Sequence, residues 1–247
     1  MERLDKFIST QISIPRSETK KIIKQGRIKI NGKTASDGGE KIDPEKDEIK
    51  LDGKPIEYRR HIYIMLNKPK GYVCSTRDGL SPTVLELVPP ALSRKGLFPA
   101  GRLDKDTEGF VLITDDGELA HKMLSPKGHV PKLYFCTLRD EWDESYPSKF
   151  ASGMILEDGE KCLPAQFFPG KDKKEAFVVL SEGMFHQVKR MFEALGNKVV
   201  GLKRLQIGAL PLDPDLKPGE CREILHKEID KLLEYFVFNC DSLSKNR

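Results

Sequence analysis

The chain has 247 residues, of which 38% are hydrophobic and 32% charged, enough for a core of ordinary size under a very soluble surface. That length exceeds the usual single-domain mode, so one larger domain with a small appendage is expected. No stretch reaches membrane-spanning length, the first residues lack the apolar core of a secretion signal, and five scattered cysteines without C-x-x-C spacing suggest neither a disulfide framework nor a zinc site; a cytoplasmic protein with free thiols and no metal is expected.

The net charge of +4 is unevenly spread: residues 1–33 alone balance to +6, and residues 61–247 are neutral. A basic excess confined to one end is the footprint of a module that holds a polyanion such as nucleic acid, rather than of a solvated face with mixed signs. Within this end Leu4, Phe7, Ile8 and Ile12 recur at helical spacing, Ser17 is the expected N-cap of a second helix carrying Ile22 and Ile23, and Gly26 closes it. Arg27–Ile30 alternates as a strand, Asn31-Gly32 signals a type I′ hairpin, and a further strand is expected over 47–51. This helix–helix–hairpin order, over about residues 2–50, resembles the S4 RNA-binding domain. The resemblance implies that Arg3, Lys6, Arg16, Lys20, Lys21, Lys24 and Arg27 meet RNA phosphates, which supply affinity but little sequence reading.

A linker over 54–60 precedes an apolar strand at 62–66 that ends in Asn67-Lys68-Pro69-Lys70-Gly71, with two lysines projecting from a turn. Ser81-Pro82 is read as a helix start. The stretch Gly101-Arg102-Leu103-Asp104-Lys105-Asp106-Thr107-Glu108-Gly109 packs a base, acids, a hydroxyl and two glycines before the strand at 110–114. On spacing it reads either as a catalytic loop held by a rigid sheet or as a turn that Asp104 caps with Arg102 paired to it. Further strands are expected at 132–138, 164–168 and 175–180, with helices at 118–124, 144–152, 187–195 and 227–236.

Alternation over 132–138 puts Lys132, Tyr134 and Cys136 on one strand face, where Lys and Tyr can hold a phosphate and stack a base, or can be a surface lysine beside a packed tyrosine. Val188, Met191, Phe192 and Leu195 form a helical core stripe, leaving Gln187, Lys189 and Arg190 in the first turn, either solvated or aimed at an anion.

The Gly-Arg-Leu-Asp loop, the Lys-x-Tyr strand, the His-Gln-Val-Lys-Arg-Met helix and Leu216-Lys217-Pro218-Gly219-Glu220, joined to an S4-like N-terminus, together resemble pseudouridine synthases of the RsuA type. Segments 66–76 and 81–84 look closest to the enzyme acting on one uridine of 16S ribosomal RNA; relatives acting on 23S ribosomal RNA share the loop and the S4 domain. The resemblance implies an α+β fold: an S4-like domain at 1–58, a catalytic domain at 59–238 with a mixed, mainly antiparallel sheet, and an unstructured tail at 239–247. It implies isomerisation of uridine, with the bond from C1′ to N1 replaced by one from C1′ to C5, by a monomer needing no cofactor and no membrane, on ribosomal RNA either free or partly assembled.

By that resemblance Asp104 is the catalytic carboxylate, as nucleophile or as base toward the C2′ proton. Lys189 keeps it charged, Tyr134 stacks on the uracil, and Arg102 helps prise out the target nucleotide. Lys68 and Lys70 serve phosphates, and Lys132, Gln187 and Arg190 are further RNA contacts. A non-catalytic RNA-binding protein leaves the second domain's constellations unexplained, and a glycosidase lacks a clear second carboxylate.

Overall fold

The computed structural model describes residues 1–125, 128, 130–236 and 238, so the tail expected to be unstructured lies outside the described residues. The chain forms two compact units, the first from Met1–Ile62 with Pro89–Leu97, the second from Tyr63–Val88 with the residues from Phe98 onward.

In the first unit the order is β1 (Glu2–Arg3), α1 (Leu4–Gln11), α2 (Arg16–Lys24), β2 (Ile28–Ile30), β3 (Lys33–Thr34), β4 (Lys41–Ile42), β5 (Ile49–Leu51) and β6 (Lys54–Pro55). The helices bury Leu4, Phe7, Ile8, Ile22 and Ile23 against Ile28, Ile42 and Ile49, each side chain contributing about 1.5–3 kcal/mol. The second helix starts one residue earlier than its expected Ser17 cap. Pro15, preset at φ −60, stands before it and its carbonyl accepts the N–H groups of Glu18 and Thr19. Asn31 and Gly32 both take positive φ, 49 and 82, as a type I′ turn requires. Asp52 and Gly53 do the same, so Lys54–Pro55, read as the start of a linker, instead returns as a strand beside β5. Sheet order is β3-β2-β5-β6, with β1 and β4 forming a separate pair.

The second unit contains β7 (Tyr63–Lys68), β8 (Phe98–Ala100), β9 (Glu108–Thr114), α3 (Gly117–Leu124), β10 (Lys132–Leu138), α4 (Tyr146–Ala151), β11 (Gln166–Pro169), β12 (Glu175–Leu180), α5 (Gln187–Glu193), β13 (Val199–Ile207), β14 (Leu210–Pro211), β15 (Cys221–Glu223) and α6 (His226–Ile229). Strand order is β11-β12-β10-β13-β9-β7-β15, with β8 beside β9 and β14 beside β13. Among the described residues every pairing between these strands is antiparallel except β13 with β9, where Lys203 and Arg204 lie opposite Glu108 and Gly109. The mixed, mainly antiparallel sheet and α+β class therefore agree with the sequence reading.

Two further expectations need correction, and one strand is new. The helix start at Ser81-Pro82 is a 3-10 turn at Val84–Leu87, because Thr83 and Glu86 close a capping box two residues later. The helix at 227–236 is only α6 followed by a 3-10 turn at Asp230–Leu232. The strand β13, nine residues long and inside the sheet, had no counterpart in the sequence reading. Met65, Phe110, Leu112, Met123, Ile207 and Leu232 form one core cluster; Tyr146, Phe150, Phe167 and Phe192 form an aromatic cluster joining α4, β11 and α5.

Candidate active site

The loop from Gly101 to Thr107 joins β8 to β9 and is fixed from below. Leu103 is buried and donates its N–H to Cys74 Sγ at 3.3 Å. Thr107 N–H closes a turn on the Asp104 carbonyl at 3.1 Å. Lys68, expected to project toward phosphate, does the opposite: it is fully buried, and Nζ donates to the carbonyls of Thr107 (2.7 Å), Pro69 (3.1 Å) and Lys105 (3.2 Å). Its site is a socket of main-chain oxygens, and burial lowers the ammonium's pKa. Lys70 is exposed, 3.7 Å from Glu108. Gly109, at φ +102, sits where β9 meets β13; a side chain there would collide with the Arg204 backbone.

Helix α5 delivers the basic partner. Val188, Met191 and Phe192 are buried on its inner face, which turns Lys189 toward the loop. Lys189 Nζ lies 3.0 Å from Asp104 Oδ2 and 2.6 Å from Asp106 Oδ1. Partial burial disfavours charge on both Lys189 and Asp106, but their mutual hydrogen bond and charge outweigh it, holding the ammonium above and the Asp106 carboxyl below their usual ranges. His186 just before the helix is left-handed at φ 49, and its Nε2 is 3.3 Å from Asp104 Oδ1. Phe185 stacks on His186 with ring centroids 3.8 Å apart.

Two expected RNA contacts are committed elsewhere. Gln187 is buried, accepting the Met184 N–H at 3.0 Å and donating to Glu182. Arg190 pairs with Asp158 and, at 2.8 Å, with Glu160. Arg102 is exposed and lines the cleft with Asp104.

The cleft, of about 790 Å³, is floored by Lys132, Tyr134 and Arg204. Tyr134 on β10 stands opposite Arg204 on β13, and Arg204 Nη1 is 3.5 Å from the Tyr134 hydroxyl oxygen. Arg204, His186 and Asp106 are site residues that received no role from the sequence. Arg204 sits in an unread strand, and the contacts of the other two depend on loop geometry that periodicity does not encode.

In the first unit Arg3 pairs with Asp5 at 2.8 Å, Lys6 with Glu2 at 2.8 Å and Arg27 with Asp52 at 2.5 Å. Arg16, Lys20, Lys21 and Lys24 are exposed on α2, with 16, 20 and 24 one turn apart along a single stripe.

Residues 62–194 match the family described as RNA pseudouridylate synthase, and residues 2–49 match the S4 domain. A Bacillus subtilis protein named as an uncharacterised RNA pseudouridine synthase is 44% identical over 94% of this chain and 98% of its own length. The ribosomal small subunit pseudouridine synthase A of Haemophilus influenzae is 44% identical over 94% of this chain and 100% of its own. That of Escherichia coli K12 is 40% identical over 92% and 98%. A crystal structure of a pseudouridylate synthase superposes with a TM-score of 0.65 at 43% identity, covering 94% of this chain and 100% of that one. With an S4 domain ahead of a sheet that sets Asp104 against Lys189, the chain belongs to the RNA pseudouridine synthase family and is an RNA isomerase.

Proposed function

We propose that this enzyme converts one uridine of 16S ribosomal RNA, position 516, to pseudouridine, with Asp104 as its catalytic carboxylate. The observation that carries the proposal is the Asp104 carboxylate, gripped at 3.0 Å by Lys189 at the edge of a cleft floored by Tyr134. The small-subunit choice rests on the names of the Haemophilus and Escherichia relatives.

The target nucleotide leaves its stack, since C1′ is unreachable inside a helix, and Arg102 at the rim contacts the strand it vacates. Asp104 then either attacks C1′ or takes the C2′ proton; the C1′–N1 bond breaks, the base turns over against Tyr134, C5 bonds to C1′ as Asp104 leaves C1′ or the proton returns to C2′, and the C5 proton is lost while N1 gains one. Reactant and product are isomers, so the reaction balances without redox change, energy source or cofactor. Residues 1–58 serve as the RNA-holding domain through the α2 stripe, in a monomeric cytoplasmic enzyme.

The test is mapping of carbodiimide-reactive positions in ribosomal RNA from cells with and without the protein. Loss of a single 16S adduct at position 516 is expected. Loss at a 23S position instead redirects the substrate, and no loss anywhere ends the proposal.

A further inference from the structure

Two buried cations face the cleft with no acid beside them among the described residues. Lys132 is 7% and Arg204 3% exposed, and both line the cleft. Arg204 Nε donates to the Phe110 carbonyl at 2.8 Å, while its buried Nη2 has no partner among the described residues. Lys132 Nζ makes one hydrogen bond, to the Val130 carbonyl at 2.8 Å. Among the described residues neither forms an ion pair, whereas Lys189, Arg190 and Arg222 in the same unit each hold two acids. Burial, then the charge of Arg204, pulls the Lys132 ammonium down to about 8. A buried charge without a partner is costly in a dry interior, and an anion brought beside it offsets that cost.

The substrate offers two anions at different moments. Its phosphates are charged before reaction; its uracil becomes negative only when C1′–N1 breaks and the bond's electron pair passes to the base, spreading over N1, O2 and O4. Arg204 stands opposite Tyr134 on the adjoining strand, on the surface against which the base rests in the proposed reaction. We infer that Lys132 and Arg204 form an anion hole for the departing uracil. The inference rests on the isomerase reading above.

The chemistry favours a pair over a single cation. Moving C5 into the place of N1 is a half-turn about the axis through N3 and C6, which exchanges O2 with O4. Cations on two neighbouring strands therefore meet a carbonyl oxygen both before and after the turn. The electron pair enters the new C5–C1′ bond, and loss of the C5 proton with uptake of a proton at N1 restores the neutral aromatic ring. Donors that act only on the charge formed at bond cleavage lower the barrier without tightening ground-state binding.

Lys132→Met is the direct test, because it removes a charge that Arg204 repels and keeps the side chain's length. With a small-subunit ribosomal RNA fragment, single-turnover isomerisation should fall ~10²–10³-fold while RNA affinity stays within about twofold. Lys132→Arg should recover most of the rate. The unaltered enzyme at sub-saturating RNA, where the rate reports the free enzyme, should lose rate above about pH 8 as Lys132 deprotonates, whereas Lys132→Arg should not. Across the sheet Lys132 is flanked by Leu180 and Ile207, and Arg204 is the charged group acting on it. Loss of affinity in step with rate would mark a phosphate contact and overturn the inference, as would an unchanged rate in Lys132→Met or a wild-type rate flat past pH 9. Failure of the unaltered enzyme to isomerise any uridine would instead count against the isomerase reading.

Discussion

Lys189 Nζ lies 3.0 Å from Oδ2 of Asp104 across 84 intervening positions of sequence, and the same ammonium holds Asp106 at 2.6 Å. One cation thus bridges two carboxylates two residues apart, of which Asp104 is 25% and Asp106 69% exposed at the side chain. The shielded partner faces the cleft and the solvated one faces out.

Asp104→Asn should abolish turnover and leave RNA affinity nearly intact. Both chemical routes need the negative charge, so the loss should exceed the ~10²–10⁴-fold typical of a positioned acid or base. Asp106→Asn is the control. It weakens one hold on Lys189 but leaves Asp104 charged, and should cost no more than about tenfold. Single-turnover rates and filter binding on both variants decide the matter; an inactive Asp106→Asn beside an active Asp104→Asn reverses the assignment.

Phe192→Ala should destabilise the second unit by about 3–5 kcal/mol. Its ring is fully buried and packs on Phe150 at 5.2 Å and Tyr146 at 6.1 Å. Because Phe192 seats α5, Lys189 loses its aim as well, so kcat should fall even at temperatures where the variant is folded. Thermal melts paired with kinetics at low temperature separate the two effects.

Reversing Arg16, Lys20 and Lys24 to Glu should weaken RNA binding and flatten its salt dependence. These three bases make no ion pair among the described residues, and each lost phosphate contact reduces the slope of log K against log salt by about 0.7–0.9. Arg27→Glu should do less, since its guanidinium already holds Asp52. An unchanged slope in the triple variant removes α2 from the RNA surface.

Asp5 gives the first unit an acid limit. Its carboxylate is 2% exposed and receives Arg3 Nε at 3.0 Å and Nη2 at 2.8 Å; that hydrogen bonding outweighs burial and holds its pKa below the usual range. A lowered pKa means stability present above the unfolded value, roughly pH 4, and lost as pH falls through the folded value. Asp5→Asn should cost about 1.5–3 kcal/mol at pH 7 and make the acid limb of the melting profile shallower. Helicity of the isolated transition followed by circular dichroism from pH 2 to 7 checks both.

Legibility from sequence followed one-sidedness. Strands 132–138 and 175–180 are found at their expected bounds. The S4-like hairpin showed because Asn31-Gly32 carries its own turn chemistry. Strand β13 stayed hidden because Gly201, Lys203 and Arg204 interrupt its apolar run, the last being inward-facing for the cleft rather than for the core. Lys68 misled for the reverse reason: a lysine beside Pro69 reads as a surface turn, and the three carbonyls that hold it come together only in the folded loop. The Asp104–Lys189 contact entered through family resemblance and not through spacing.

The short parallel seam between β13 and β9 also sets an order of events during synthesis. Every strand pairing of the first unit falls within residues 2–55, so its sheets can form as soon as that stretch is free of the ribosome. The loop that carries Asp104 is finished by residue 109, yet its floor waits for Arg204, 95 residues later, and its flanking strand β7 gains a second neighbour only when Cys221–Glu223 arrives. Closing contacts that distant is slow. In a growing chain the sheets of the first unit can therefore close well before the loop that carries Asp104 gains its floor and its flanking strand gains its second neighbour.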